Sequence, residues 1–429
     1  MDYAEARCIL ENLPALEVKP GLARTKRLLD ALDHPQQTFQ TIHVAGTNGK
    51  GSVAAMLASV LHQAGYRVGR FTSPELLDFR DRICVDDAWI AEQELAAVVE
   101  RLLRILSEEK DRPTLFEALT AIAFDHFAAQ HVDLAVIEAG LGGRFDATNT
   151  VAPMLTILTN VGRDHIGLLG SRLEQIAWEK AGIAKRQVPF LIGDLPQAAE
   201  KVAVEECRLA GAKLVRVDPI SVRRRGFDWE RTTYAVEAKN LPKKIDLPLL
   251  GGYQGENLRL ALRAVQSLRE QGVVIPNDAV AAGLGEVRWP GRFEVVSRDP
   301  AVVLDGAHNV PAAQALAKDV VEYAPEKRHR RLLFGVLSDK EWEAISRILF
   351  PLFAEVMLTR SQSPRALSLD VLGEAALSLG VSFACYETVS DGLRRACSGL
   401  VTEDVLFVAG SLSVVREARS ALVKVPCRL

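Results

Sequence analysis

The chain has no CxxC pair: its six cysteines, Cys8, Cys84, Cys207, Cys385, Cys397 and Cys427, stand singly along 429 residues. That spacing excludes a disulfide scaffold and reads as a reduced, intracellular pattern, with most of these thiols expected to be buried and structural. Basic charge is not in excess either. The 52 Lys and Arg against 55 Asp and Glu leave a formal charge of −3, which excludes a nucleic-acid or membrane surface built on bulk electrostatics. Any anionic ligand must be held by a local site. No apolar run approaches the ~20 residues that span a bilayer. The opening MDYAEARCIL has no cationic segment followed by an apolar stretch, so no secretory leader is expected. Internal repeats and low-complexity tracts are missing too, and the expected location is the cytoplasm.

What is present is an ordinary globular composition, 48% hydrophobic and 25% charged, with 30 Gly and 19 Pro. At about 150 residues per domain the length predicts two or three domains. Thr41–Ala45 is a short β-branched run broken by Gly46–Gly51, after which Val53, Leu57, Val60 and Leu61 recur at helical spacing up to Gly65, a C-cap glycine. Leu115–Ala129 is helical in period, and Val132–Ile137 and Met154–Thr159 are continuous apolar runs. Strands apolar on both faces and separated by helices predict a parallel sheet covered on both sides. From Ser221 to Leu250 the texture alternates and carries Pro242 and Pro248, a short β excursion whose Arg223–Arg225 run is read as a solvated face; a helix follows at Gly255–Gln271. The break around Trp289–Asp299 opens a second alternating series, so the boundary is placed between 295 and 296. The fold class is therefore α/β: a P-loop-type parallel-sheet ATPase domain over 1–295 and a smaller Rossmann-like domain over 296–429, roughly 130 residues.

Four local features carry chemistry. Val44–Ser52, VAGTNGKGS, joins a strand to a helix, where backbone amides and the helix N-terminus cradle phosphate and Lys50 neutralises it. The strict GxxxxGK[ST] form is not met, because Val44 stands at the first glycine and Gly51 separates Lys50 from Ser52. A strand delivers Glu138 to the C-terminal sheet edge, where ligands of open α/β sheets bind and a carboxylate can hold Mg²⁺ against a nucleotide. Asp164-His165 follows the strand ending Thr159-Asn160-Val161-Gly162, but no second histidine lies nearby in sequence. Glu179-Lys180-Ala181-Gly182 reads by itself as a surface lysine near a helix end.

Taken together, HVAGTNGKGS, FTSPEL, TLFE, EAGLGGRFDATN, RDHIGLLG, EKAGI, LPLLGGYQGENLRLAL, WPGRF, LDGAHN, LFGVLSDK and VAGSL resemble, in order and over essentially the whole chain, the folylpolyglutamate synthase/dihydrofolate synthase family of the Mur-ligase superfamily. LGGRFDATN, PGRF and DGAHN are the segments specific to that folate branch. The resemblance implies an ATP-dependent ligase: a substrate carboxylate takes the γ-phosphoryl group, and the amine of L-glutamate displaces phosphate from the acyl phosphate. No enzyme nucleophile is required, and no Ser-His-Asp or Cys-His arrangement stands out. Positioning and charge neutralisation carry the catalysis.

Residue by residue, the resemblance implies that Thr47, Asn48, Gly49 and Lys50 wrap the ATP phosphates, with Ser52 beside them. Ser73, Glu138 and His165 are the implied Mg²⁺ ligands, and a monovalent cation is a further implied ion. Lys180 aligns with a lysine that carries an N6-carboxyl group. Asn257, Arg292 and Asp305 are implied to reach the nucleotide, at a cleft between the domains. Thr114, Leu115, Phe116 and Glu117, with Phe145, Asp146 and Ala147, match the pterin- and folate-contacting segments. His308 and the Gly410-Ser411 turn, at strand ends of the second domain, are candidates for the incoming glutamate. Glu75 departs from the family, which often has His after TSP, and stands beside the implied ligand Ser73.

The expected partners are small molecules (dihydropteroate or a reduced folate, L-glutamate and ATP), with no nucleic acid and no membrane, acting on a monomer. The RFDA segment resembles bifunctional members more than those confined to chain extension. A Mur-type UDP-muramyl peptide ligase shares the loop, but only some 45 residues precede it, little room for a UDP-sugar domain. A P-loop switch is disfavoured by the non-standard loop and by the lack of an NKxD motif.

Overall fold

The computed structural model describes residues 1–14, 21–107 and 111–424. The chain folds into two units: Met1–Arg223, Tyr234–Asp246 and Gly255–Val287 form the first, and Arg224–Thr233, Leu247–Gln254 and Arg288–Leu429 the second. Sequence texture places the boundary between 295 and 296. In the fold the WPGRF turn belongs with the second unit, because the strand that follows it pairs there.

The first unit is built on eight strands: β1 (Gln40–Ala45), β2 (Val68–Phe71), β3 (Ile83–Val85), β4 (Ala88–Trp89), β5 (Leu134–Glu138), β6 (Leu155–Leu158), β7 (Pro189–Ile192) and β8 (Lys213–Arg216). Their order is β4-β3-β2-β5-β1-β6-β7-β8. All neighbours from β2 to β8 are parallel, and β3 and β4 add an antiparallel edge that periodicity does not announce. Five of the six β1 residues are buried, as a strand covered on both faces requires. The chain leaves β1 for β2 on one side, returns through β5, and goes to β6 on the other. The C-terminal end of β1 is thus a topological switch point, where such sheets bind ligands. Helix Lys50–Gln63 is buried from Ser52 to Ala58 and at Val60 and Leu61, the mark of a core helix. Helix Leu115–Ala129 is likewise buried and starts at a Thr114–Glu117 capping box.

The excursion forms a three-stranded sheet of β9 (Ser221–Phe227), β10 (Thr232–Glu237) and β11 (Lys244–Leu247), ordered β11-β10-β9. Arg223 and Arg224 are exposed there and ion-paired with Glu237 and Glu322. The second unit's sheet contains β12 (Glu294–Arg298), β13 (Ala301–Asp305), β14 (Arg330–Phe334), β15 (Glu355–Thr359), β16 (Phe383–Tyr386) and β17 (Val405–Ala409). They run in the order β12-β13-β17-β14-β15-β16, parallel throughout except for antiparallel β12. A core of Val303, Leu316, Leu332, Phe334, Phe350 and Phe407 fills the space between this sheet and its helices.

The cysteines depart from expectation. All five described are free thiols, but only Cys84 and Cys207 are buried; Cys8 and Cys385 are exposed and Cys397 lies between, while Cys427 falls outside the described residues. None of the described helices is long and apolar enough to cross a membrane.

Candidate active site

The phosphate loop turns sharply out of β1 because glycine stands at its two critical points. Gly46 has φ +150°, and a Cβ there would lie 1.9 Å from Thr159 Oγ1; Gly49 has φ +82°, and its Cβ would lie 2.3 Å from Asn257 Oδ1. The loop is stitched to the end of β6. Thr47 N donates to Asn160 O at 3.0 Å, Asn48 N donates to Asn160 Oδ1 at 2.9 Å, and Thr159 Oγ1 donates to Asn48 O at 2.6 Å. Thr47 Oγ1 donates to Gly162 O and accepts from Gly162 N, at 3.1 and 2.9 Å. The first bond of the following helix runs from Val53 N to Gly49 O, 2.9 Å. The amides of Lys50, Gly51 and Ser52 precede it and are the set that an anion at a helix N-terminus takes.

Three charged side chains converge beneath this loop. Lys50 Nζ donates to Thr47 O at 3.3 Å and stands 3.7 Å from Glu138 Oε1. Glu138, buried at the end of β5, accepts the Ser73 amide on Oε2 at 3.2 Å. Lys180 is only 5% exposed, so the surface reading of EKAG gives way: its Nζ donates to Gly46 O at 2.9 Å. Burial, and after it the charge of Lys50, push the Lys180 ammonium down to about 7. A primary amine that is substantially neutral at physiological pH is a nucleophile, which a solvated lysine is not.

His165 caps the four-residue helix Ile166–Leu169 in the left-handed region, φ +50°. Its side chain is 40% exposed, and its Nε2 stands 3.9 Å from Asp164 Oδ1. Among the described residues no three His, Cys, Asp or Glu side chains gather as a metal cluster. The Glu138 carboxylate, buried at a strand end, nevertheless offers oxygen of the hard type that suits Mg²⁺. Glu75, the departure beside Ser73, is drawn off by Arg82, whose Nε donates to it at 2.7 Å.

The segments expected to meet a pterin separate into exposed and structural residues. Phe145 is 45% exposed. Phe116 lies against Gly140, where a Cβ would come within 2.5 Å of its ring, and 5.7 Å from Phe71. Leu115 N donates to Pro14 O at 3.1 Å. Thr114 and Glu117 cap their helix reciprocally, at 2.8 and 3.2 Å, and Glu117 also takes the buried Arg24 guanidinium on both oxygens at 3.1 Å. Asp146 is buried with both oxygens occupied: Oδ2 by the Leu141 amide at 2.8 Å, Oδ1 by the amide and hydroxyl of Thr148 at 3.0 and 2.5 Å. It shapes the loop and the Ala147–Thr150 turn. His43 supports the same hydroxyl, its Nε2 2.8 Å from Thr148 Oγ1, and burial pushes its imidazole down to about 3, so it stays neutral. Arg144 ties this loop to the Lys180 helix: its amide donates to Glu179 O at 2.8 Å, and its guanidinium lies 4.0 Å over the Trp178 ring.

In the second unit Asp305 is buried at the end of β13. Arg292 Nη1 donates to Gly291 O at 3.1 Å, and His308 Nδ1 is 2.7 Å from Gly306 O. Sequence reasoning does not single out Asn160, Arg24 or Tyr253. Asn160 has a usable signal, an amide side chain directly after a buried strand, whereas Arg24 is one arginine among many until the fold buries it.

Gly49→Ala tests the loop geometry. The added methyl collides with Asn257 and forces a positive φ on a Cβ residue. Nucleotide affinity is expected to fall at least about tenfold, measured by calorimetric titration with ADP, with the melting temperature lowered by a few degrees.

A parallel sheet with a phosphate loop at its switch point, followed by a second six-stranded α/β unit, is the architecture of a Mur-type ligase. The Mur ligase middle domain matches residues 44–265, and the Mur ligase, glutamate ligase domain matches 291–412. The dihydrofolate synthase/folylpolyglutamate synthase of Bacillus subtilis is 34% identical, over 98% of this chain and 99% of its own length. Mycobacterium tuberculosis folylpolyglutamate synthase, solved with ADP, superposes with a TM-score of 0.89 at 32% identity, covering 97% of each chain. E. coli FolC, solved with DHPP and ADP, gives 0.86 at 27% identity, over 99% and 98%. The chain belongs to the folylpolyglutamate synthase/dihydrofolate synthase family of Mur ligases.

Proposed function

We propose that this enzyme is an ADP-forming ligase that joins L-glutamate to dihydropteroate and to the glutamate tail of reduced folates. The observation that carries the reading is the convergence of Lys50, Glu138 and Lys180 under a phosphate loop, in a chain related over its whole length to folate ligases. ATP is the co-substrate. The acceptor's carboxylate oxygen attacks the γ-phosphorus and ADP leaves; the glutamate amine then attacks the acyl carbon, phosphate departs, and the nitrogen loses a proton. Thr47, Asn48, Gly49 and Lys50 hold the phosphates, with the loop amides and the Lys50 charge facing the oxygens on which charge develops. Asn257, Arg292 and Asp305 serve the nucleotide.

Bound Mg²⁺ would neutralise phosphate charge, with Glu138 and Ser73 supplying oxygens and His165 the nitrogen of the family pattern. Lys180, neutral enough to react, forms an N–C bond to CO₂ through its amine nitrogen, which releases a proton to solvent, and the resulting carbamate is an anion near the Lys50 charge. Phe116 and Phe145 offer the pterin its apolar faces. Asp146 and Ala147 hold the loop that carries Phe145, and Thr114, Leu115 and Glu117 hold the turn that carries Phe116. Activity on dihydropteroate is supported by the RFDA segment and by the double name of the Bacillus relative. We read the chain as a monomer, and as cytoplasmic because its singly spaced cysteines fit a reducing compartment.

ADP release with ATP, Mg²⁺ and glutamate, supplying one acceptor at a time, checks the reading. Turnover is expected with dihydropteroate and with a reduced folate monoglutamate, and none with a UDP-muramyl peptide. Turnover with the last alone sinks the folate assignment; turnover with a reduced folate and never with dihydropteroate leaves chain extension as the sole activity.

A further inference from the structure

The second unit holds a buried polar relay that ends at Arg292 and starts at a residue with no role so far. Asp305 Oδ1 accepts the Ala307 amide at 2.8 Å. Its Oδ2 accepts both the Phe293 amide at 2.8 Å and the Tyr253 hydroxyl at 3.2 Å. Phe293 has φ +46°, a left-handed conformation that bulky side chains rarely adopt. Its buried ring is wedged 4.8 Å from Tyr323 and 6.2 Å from Phe407. The amide bond to Asp305 fixes the backbone of this turn from the other side. Arg292 is the residue before it. Gly291 O accepts both Arg292 Nη1 at 3.1 Å and the Gly306 amide at 2.9 Å. A Cβ on Gly306 would lie 2.7 Å from Arg292 Nη1, so the guanidinium rests on that glycine. Its place is therefore set by the turn and by the loop that follows Asp305.

Tyr253 arrives on a different stretch of chain, Leu247–Gln254, which is itself pinned. Gly252 N donates to the buried Asp319 Oδ1 at 2.7 Å. Gly251, at φ +93°, packs under the tyrosine ring, where a Cβ would come within 2.8 Å. The ring is thus fixed at its base and its hydroxyl reaches Asp305. Burial and the Asp305 carboxylate push the phenol well above its ordinary 10, so the hydroxyl keeps its proton and donates.

We propose that Tyr253 is a positioning residue for Arg292: its hydroxyl holds Asp305, Asp305 holds the Phe293 amide, and the turn so fixed aims the guanidinium at nucleotide phosphate. The proposal rests on the reading that Arg292 serves the nucleotide. A guanidinium is a planar fork whose bonds to phosphate depend on orientation as well as charge. Without the hydroxyl, Asp305 Oδ2 loses one of its two donors and the turn gains freedom at the point where aim is set. A tyrosine that only filled space would be replaced by phenylalanine at no catalytic cost.

The test is a double-mutant cycle of Tyr253→Phe and Arg292→Lys, read as steady-state ADP release with thermal unfolding as the control. Tyr253→Phe is expected to lower kcat on the order of tenfold, leaving KM for the folate acceptor within about twofold, because misaim costs the transition state more than acceptor binding. Arg292→Lys should lower kcat further, and the double variant should match Arg292→Lys alone, since no fork is left to aim. An unchanged kcat in Tyr253→Phe, or its full factor persisting in the Arg292→Lys background, overturns the relay and leaves the Arg292 reading standing. Wild-type kcat in Arg292→Lys overturns the Arg292 reading and the relay with it. Should Tyr253→Phe fail to fold, Asp319→Ala, which releases the Gly252 amide at the base of the tyrosine, takes its place in the cycle, with the same non-additivity expected.

Discussion

Lys50→Ala is expected to cut ATP-dependent turnover by about a thousandfold, the scale on which a preorganised charge at developing phosphate oxygens is felt. Lys50 is placed for that role by the turn before it. Its Nζ lies 3.3 Å from Thr47 O and 3.7 Å from Glu138 Oε1, so the side chain is folded back over the loop that would receive the phosphates. The same substitution leaves the helix intact, alanine being the best helix former, and Glu138 retains the Ser73 amide. Melting temperature should therefore fall by only a few degrees, about 1–2 kcal/mol for a weakened buried carboxylate. ADP release and thermal unfolding on the same preparation separate the two effects, and near-normal turnover would remove the phosphate-loop assignment. A second consequence follows, because the Lys50 charge helps to lower Lys180. In Lys50→Ala the Lys180 amine should titrate at higher pH than in the parent.

Lys180→Met is expected to lower turnover by about two orders of magnitude, and to lack the carbamate carbonyl signal that the parent enzyme is expected to show under ¹³C-bicarbonate. Carbamate formation needs the free amine, and burial supplies it by pushing the ammonium to about 7 from its ordinary 10.5. The same shift dictates a stability signature in CO₂-free buffer. Between pH 7 and 10.5 the unfolded chain binds the proton that the folded chain has lost, so stability rises with pH across that window. Below pH 7 the full cost of a charged buried amine is present; above 10.5 it has gone. Lys180→Met should accordingly be most stable relative to the parent near pH 6, with its advantage shrinking as pH rises. Denaturant unfolding at three pH values reads this directly. A difference that does not vary with pH, together with no carbamate signal, would return Lys180 to a structural lysine.

The legible part of the site is the part written in consecutive residues. VAGTNGKGS announces a strand, a turn and a helix within nine residues, and IEAGLGG announces a strand-end acid. Glycine and β-branched residues act on the backbone next to them, so a linear reading captures them. The site residues that a linear reading leaves open are those whose contacts depend on what the fold brings against them. Lys180 reads as a surface lysine and is buried with its amine on Gly46 O. Thr114 and Glu117 are spent on a helix cap and on Arg24, and both oxygens of Asp146 on backbone and Thr148. Glu75 reads as a disturbance beside Ser73, and Arg82, seven residues on, takes it up.

A near-neutral chain can still present cationic groups at short range, as Lys50 stands 3.7 Å from Glu138, where charge acts far more strongly than across a solvated surface. The cysteines show the limit of the same reasoning: their spacing excludes a disulfide framework, but it cannot say which thiols are buried, and only two of the five described are. Periodicity and glycine placement thus predicted the α/β class and a strand–turn–helix loop of the phosphate-binding kind, and the ordered motifs carried the resemblance to the family. Burial, pKa and the partners of each buried acid were decided only in three dimensions. They arise from contacts such as Asn48 with Asn160 or Tyr253 with Asp305, made between segments distant in the chain, and no local pattern encodes the distance at which such residues finally meet.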